Sequence, residues 1–172
     1  MIKAIEPLGK HDQAAFSCGV ASLDDWFRLR AGQDEKRNVA RVFVALDDQG
    51  GIVGFYSLSS FTLTIADLPP KHAKRLPRYD AIPAALIGRL ARDEKVRGEG
   101  IGVLLADAIR RVIGAARSLA AFAIVVESID EKAAAFYRGF GFTAFPNRPL
   151  RLFMPASEAA EAVSRALSRV RR

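Results

Sequence analysis

A glycine-rich turn, Arg97-Gly98-Glu99-Gly100-Ile101-Gly102, separates an apolar run, Ala84 to Ala91, from an amphipathic stretch that begins near Ile101. The run reads as a buried strand and the stretch as a helix, so the chain belongs to the α/β class. Glycine has no Cβ, so the backbone can turn through positive φ and aim successive N–H groups at one point. The helix that follows adds the positive end of its dipole. Such a cradle suits a phosphate or pyrophosphate. The dinucleotide fingerprint G-x-G-x-x-G fails, because Val103 or Leu105 stands where the third glycine would fall. The P-loop fails as well, since its terminal Gly-Lys-Ser/Thr is missing. What remains is (Arg/Gln)-x-x-Gly-x-(Gly/Ala), carried by Arg97, Gly100 and Gly102.

Patterning organises the rest of the chain. Ile2 to Glu6 reads as a first strand and Ala21 to Asn38 as a helix capped by Ser22. Arg41 to Leu46 and Ile52 to Ser60 form a hairpin about Asp47-Asp48-Gln49-Gly50-Gly51. Pro69, Pro70 and Pro77 break regular structure between Ile65 and Ile82, which reads as a loop or short irregular helix beside the site. Ala84 to Arg92 is the central strand, and Ile101 to Arg117 a helix. That helix buries Leu105, Ala108, Ile109, Val112 and Ile113 and turns Asp107, Arg110 and Arg111 outward. A strand over Ala121 to Glu127, a helix over Glu131 to Arg138 and short strands at Gly141 to Phe145 and Arg151 to Phe153 follow. The terminal helix, Ser157 to Val170, carries Arg165, Arg169, Arg171 and Arg172.

The 172 residues suit one domain spanning 1–172, and half of them are apolar, enough for an ordinary core. No apolar run reaches the length of a membrane span. The first ten residues show no signal-peptide core and the single cysteine has no internal partner, so a cytoplasmic location is expected. Cys18 reads as a small buried residue rather than a nucleophile. His11 and His72 stand apart with no cysteine cluster, so no metal site is expected.

The phosphate pattern resembles that of the GNAT superfamily of N-acetyltransferases, which bind the pyrophosphate of acetyl-CoA with it. Ala135-Phe136-Tyr137-Arg138-Gly139-Phe140-Gly141-Phe142 is similar to the aromatic close of GNAT domains. The resemblance implies a mixed, mostly antiparallel sheet with a central, splayed parallel strand pair and helices on both faces. It implies acetyl-CoA as co-substrate, bound at Arg97, Gly98, Glu99, Gly100, Ile101 and Gly102. The strand backbone at Leu90, Ala91 and Arg92 would pair with the pantetheine arm, with Asp130, Lys132 and Ala133 on its other side. Tyr137 takes the role of general acid for the leaving thiolate. From the residues alone, Tyr137 could equally pack beside Phe136, Phe140 and Phe142.

Acyl transfer from a thioester needs a neutral amine, a polarised carbonyl and a proton for the thiolate. A strand amide near Ala91 or Arg92 suits the second requirement and Tyr137 the third. Glu127 and Asp130 are candidate bases through water, or else a solvated strand-end carboxylate and a helix cap. An α-amine, titrating near about 8, is an easier acceptor than a lysine side chain near about 10.4.

The net charge is +7, and Lys71, Lys74, Arg75, Arg78, Arg89, Arg92, Lys95 and Arg97 cluster in sequence. Such a stretch suits a polyanionic acceptor, or is a solvated surface. Phe16-Ser17-Cys18-Gly19, Leu23-Asp24-Asp25-Trp26-Phe27, Arg41 to Ala45, Gly54 to Ser59 and Gly88-Arg89-Leu90-Ala91 together resemble the GNAT toxins of bacterial toxin–antitoxin pairs. That resemblance implies acetylation of the α-amine of aminoacyl-tRNA and a block of translation. Lys71, Lys74, Arg75, Arg78 and Arg89 would then be tRNA contacts. The implied partners are a ribbon–helix–helix antitoxin, operator DNA through that antitoxin, and a second copy in a homodimer. The rival readings are a GNAT acetylating a small amine or a protein N-terminus, and a CoA-binding module without turnover.

Overall fold

The computed structural model describes residues 1–96, 98 and 100–170, the last by its backbone alone. Arg97 and Glu99 of the cradle, and Arg171 and Arg172 of the terminal helix, lie outside the described residues. The strands are β1 (Ala4–Pro7), β2 (Arg41–Leu46), β3 (Ile52–Leu63), β4 (Ile82–Arg92), β5 (Ala123–Glu127), β6 (Thr143–Phe145) and β7 (Arg148–Pro155). The helices are α1 (Ala21–Leu29), α2 (Ala31–Lys36), α3 (Pro70–Ala73), α4 (Ile101–Ala115), α5 (Glu131–Gly139) and α6 (Ala159–Val170). One sheet runs in the order β1-β2-β3-β4-β5-β7-β6, and every neighbouring pair is antiparallel except β4 and β5.

Side chains alternate across a strand, and both faces of this sheet are covered. On one face Tyr56, Ile87, Ile124, Val126, Leu152 and Met154 pack against α4, α5 and α6. On the other, Phe55, Val42, Val44 and Ala91 meet Phe16, Trp26 and Phe27 at the α1 end. Further along that second face, Ala123, Val125 and Phe153 lie beneath the segment carrying Leu63, Leu68 and Leu76. Because both faces are buried, β5 reads as an unbroken apolar run rather than an alternating one.

The expected elements form, with two local corrections at the first helix. The helix foreseen over Ala21 to Asn38 breaks at Arg30 into α1 and α2, and the break is held by an indole N–H bond from Trp26 to Asp34 Oδ2 at 3.0 Å. Ser22 lies inside the first turn of α1, so it cannot cap it; Val20 occupies the cap position without a side-chain bond. Between Ile65 and Ile82 the chain forms the loop with short helix that was expected: Pro70 opens the four-residue α3, where its missing N–H costs nothing.

The face of α4 is also wider than its apolar spacing indicates. Leu104 and Ala106 are buried with Leu105, Ala108, Ile109 and Val112, while Ile113 is only half-buried. Arg110 is exposed as expected, but Asp107 and Arg111 turn back onto the sheet. The Tyr56 hydroxyl donates to Asp107 Oδ2 at 2.5 Å, and Arg111 Nε donates to the same oxygen at 2.9 Å. The Arg111 guanidinium lies 4.1 Å over the Phe43 ring and also donates to the Ile5 carbonyl. This network pins α4 to β1, β2 and β3. Burial and the Asp107 carboxylate both push the Tyr56 phenol well above its ordinary value, so it remains a donor. Replacing Tyr56 with Phe removes one bond to a charged acceptor, and denaturant unfolding should show a loss on the order of 1–3 kcal/mol.

Candidate functional site

β4 and β5 pair in parallel only from Ala84↔Ala123 to Ile87↔Val126, although β4 continues to Arg92. The strands part at a bulge. On the β3 side, Ser57 pairs with Arg89 and Leu58 with Ile87, leaving Gly88 as the extra residue. The Arg89 N–H is taken by the buried Ser57 Oγ at 3.1 Å. A Cβ at Gly88 would stand 3.3 Å from that oxygen, so a bare backbone suits the position. Beyond the bulge, Leu90, Ala91 and Arg92 remain paired with Tyr56, Phe55 and Gly54 of β3, and their other edge is released from β5. A released strand edge offers backbone groups to an extended ligand.

At the end of that edge lies the glycine turn. Gly98 has φ +81° and Gly100 φ +99°, the left-handed region that glycine alone enters cheaply. Among the described residues the first α4 bond runs from the Leu104 N–H to the Gly100 carbonyl at 2.9 Å, so the N–H groups of Ile101, Gly102 and Val103 lie at the open end of the helix. Ile2 packs 3.3 Å from where a Gly100 Cβ would stand. With the helix dipole behind them, these donors suit a pyrophosphate.

Two hollows flank the fork. One, of about 460 Å³, is lined by Leu90, Ala91, Arg92 and Asp93 together with Cys18, Leu23 and Ile129. The other, of about 390 Å³, is lined by Leu86, Gly88, Arg89, Glu127, Ser128 and Leu23 among others. The Cys18 thiol donates to the Val20 carbonyl, and burial and Asp24 push it up to about 11. It is therefore a poor nucleophile, consistent with the packing role expected of it, though it is half-buried at the cavity wall. A third hollow of about 520 Å³, more apolar, lies away from the fork, between the C-terminal half of α4 and strands β2 to β4.

The sequence-derived site residues separate into groups. Leu90, Ala91, Arg92, Gly98, Gly100, Ile101 and Gly102 converge at the fork and its cradle. Asp130 serves α5 directly: its Oδ1 accepts the Ala133 N–H at 2.8 Å, which makes it a helix cap. Lys132 and Ala133 sit in the first turn of α5, Lys132 exposed. Glu127 is held in an ion pair with Arg151 at 2.5 Å. Tyr137 is buried on α5, edge-on to Phe136 and Phe142 at ring-centroid distances of 5.3 and 5.7 Å. Burial raises its phenol well above the ordinary value, so it holds its proton.

The basic residues do not form one patch. Lys71, Lys74, Arg75 and Arg78 are exposed on and just after α3. Arg89 is half-buried at the fork, its guanidinium 4.0 Å over the Trp26 ring, and burial lowers its affinity for the proton. Three polar side chains went unnoticed in the sequence: Ser57, which holds the bulge, Ser128, whose buried hydroxyl has no hydrogen-bond partner among the described residues, and Asp93. Small polar residues inside strands and loops carry no spacing signal, because only a distant partner gives them a role. Among the described residues no cluster of His, Cys, Asp or Glu can hold a metal ion, and no helix is long and apolar enough to cross a membrane.

A glycine cradle at a helix start, beside a parallel pair that parts halfway, defines an acyl-CoA-using transferase, and residues 38–144 match the acetyltransferase (GNAT) domain family. The chain belongs to that family and is an acetyl-CoA-dependent N-acetyltransferase. It is similar to a tRNA-acetylating toxin of Mycobacterium tuberculosis, 40% identical over 86% of this chain and 88% of the relative. It is also similar to a probable toxin TacT of Sinorhizobium fredii, 35% identical over 89% of this chain and 91% of the relative. Among solved structures, AtaT complexed with acetyl-methionyl-tRNAfMet superposes with a TM-score of 0.83 at 27% identity, covering 92% of this chain and 97% of that one.

Gly100→Val places a β-branched residue at φ +99° and against Ile2. The variant should fold yet show no acetyl-CoA binding by calorimetry, and unchanged affinity would refute the cradle.

Proposed function

We propose that the chain transfers the acetyl group of acetyl-CoA to the α-amine of aminoacyl-tRNA, blocking translation as the toxin of a toxin–antitoxin pair. The observation that carries this reading is the released edge of β4 running into the glycine cradle. One relative and one structural neighbour supply the acceptor, a tRNA-acetylating toxin and AtaT complexed with acetyl-methionyl-tRNAfMet, and a second relative, a probable toxin TacT, supports the toxin reading. A ribbon–helix–helix antitoxin, operator DNA through it, a homodimer and a cytoplasmic location follow from the same reading.

In the proposed reaction the pyrophosphate rests on the N–H groups of Ile101 to Val103, with Gly98 and Gly100 turning the chain beside it; Arg97 and Glu99, assigned to the same ligand by the resemblance, lie outside the described residues. The pantetheine amides complete the edge at Leu90, Ala91 and Arg92, with Asp130, Lys132 and Ala133 across the fork. A strand N–H polarises the thioester carbonyl. The amine nitrogen attacks the carbonyl carbon, the carbon–sulfur bond breaks, and Tyr137 gives its proton to the departing thiolate while the attacking nitrogen loses one to water. The raised phenol supports this role, since an acid must hold its proton until sulfur needs it.

Among the described residues, Glu127 is engaged by Arg151 and Asp130 by its own helix. One oxygen of each is already committed, which favours an acceptor that is already neutral near neutral pH. An α-amine meets that condition and a lysine side chain does not. The positive loop at Lys71, Lys74, Arg75 and Arg78, with Arg89 at the fork, is proposed to meet the tRNA phosphates.

Purified protein incubated with acetyl-CoA and charged total tRNA should yield N-acetylated aminoacyl-adenosine detectable by mass spectrometry, and a Tyr137→Phe variant should bind acetyl-CoA nearly normally but transfer slowly. Absence of product despite acetyl-CoA binding would move the acceptor to a small amine or a protein N-terminus. The pH profile gives a separate check. Because the Tyr137 pKa is raised, its proton-bearing form persists through alkaline pH and is lost only above that raised value. kcat/KM should therefore rise as the α-amine deprotonates, near or below about 8, and show no descending limb near about 10 from this tyrosine.

A further inference from the structure

The segment Phe16–Val20 crosses from α1 to the loop that leads from β4 into the glycine cradle, and backbone bonds join the two. The Ser17 N–H donates to Asp93 Oδ2 at 3.1 Å, and the Glu94 N–H donates to the Ser17 carbonyl at 2.9 Å. The other Asp93 oxygen, Oδ1, accepts the Lys95 N–H at 2.9 Å. At its α1 end the segment is held by Asp24, which accepts the Ser17 hydroxyl at 3.0 Å and the Cys18 N–H at 2.8 Å. Burial alone would raise the Asp24 carboxyl, but these bonds outweigh it and hold the group below its ordinary value. Gly19 has φ +82°, and a Cβ there would collide with the Glu94 carboxylate. Both carboxylates are almost wholly buried.

Cys18, Val20 and Leu23 line the same cavity as Leu90 to Glu94, and Leu23 also lines the second cavity at the fork. The strap thus ties the wall of both hollows to the chain entering the cradle. We propose that Asp93 is a positioning residue for acetyl-CoA: by accepting one N–H from the strap and one from the cradle approach, it fixes the α1 wall and the pyrophosphate loop as one unit. It touches no reacting atom. Its action is to hold the loop in the shape acetyl-CoA requires, so that binding need not order it.

The two buried carboxylates differ in a way that makes the proposal testable. Asp93 faces two backbone N–H groups, so Asp93→Asn leaves one of them opposite an NH₂ group. Asp24 faces one N–H and one hydroxyl, so Asp24→Asn can accept from Cys18 and donate to Ser17 Oγ, keeping both bonds. The proposal rests on the acetyl-CoA reading of the cradle, and calorimetry of the unmodified protein with acetyl-CoA tests that reading first; no binding there overturns both. With binding established, Asp93→Asn should weaken acetyl-CoA affinity and raise its KM on the order of tenfold, with kcat at saturation nearly unchanged. Asp24→Asn should stay within about twofold of the original KM. Gly19→Ala, which strains the strap without touching Asp93, should raise the acetyl-CoA KM in the same direction and serves if Asp93→Asn does not fold. Unchanged KM in Asp93→Asn, an equal loss in Asp24→Asn, or a fall confined to thermal midpoint would overturn the proposal.

Discussion

The architecture turns on one hydrogen bond at one bulge. Parallel strands pair through evenly spaced bonds and have no intrinsic reason to separate. Here Gly88 inserts an extra residue opposite β3, and Ser57 Oγ takes the Arg89 N–H that the ladder would otherwise leave unmatched. The insertion bends β4 away from β5 just past Ile87↔Val126. Everything beyond that point, the open edge at Leu90 to Arg92 and the cradle that follows, is placed by this departure. β5 itself ends at Glu127, so the edge at Leu90 to Arg92 has no strand beside it on that side.

Around the fork the polar groups have distinct duties. Charged side chains such as Glu127 and Asp130 are engaged through one oxygen each, with Arg151 and with the start of α5, so they help to build the fork. Arg89 is spread over Trp26 rather than extended into solvent, which holds a positive group beside an apolar wall at the fork. The buried pair Asp93 and Asp24 organises the opposite wall through backbone donors, the kind of bond that fixes a loop most closely because neither partner has a long side chain to reorder. Tyr137, buried on α5 with its phenol raised by burial, keeps its proton, as the proposed role of general acid requires.

Much of this was readable in the residues. The strand, glycine turn and helix follow from local rules: apolar runs, positive φ at Gly98 and Gly100, and the period of α4. The hairpin at Asp47 to Gly51 and the close at Tyr137 to Phe142 are likewise local. What misled the reading was an interaction with a distant partner in each case. Asp107 and Arg111 look solvent-facing on a helical wheel, yet Tyr56, fifty-one positions away, draws Asp107 inward. The helix from Ala21 to Asn38 keeps its amphipathic pattern through Arg30, but the indole of Trp26 reaches Asp34 only if the axis breaks. The basic residues, close together in sequence, are divided because α3 sits over β5 and β7 while Arg89 lies on β4 beneath α1.

The sequence by itself determined the α/β class, the glycine turn that opens α4 and the helix that carries Tyr137, because each rests on contacts within a few residues or on the repeat of one element. Only the tertiary structure decided where β4 leaves β5, that Ser57 holds the bulge, that Asp93 joins the Phe16–Val20 strap to the cradle, and that Asp130 and Glu127 are already occupied. Those facts depend on pairs such as Ser17 with Asp93, seventy-six positions apart. A buried hydrogen bond is set by distance in space and by the lack of water to compete, and neither is written in the order of the residues.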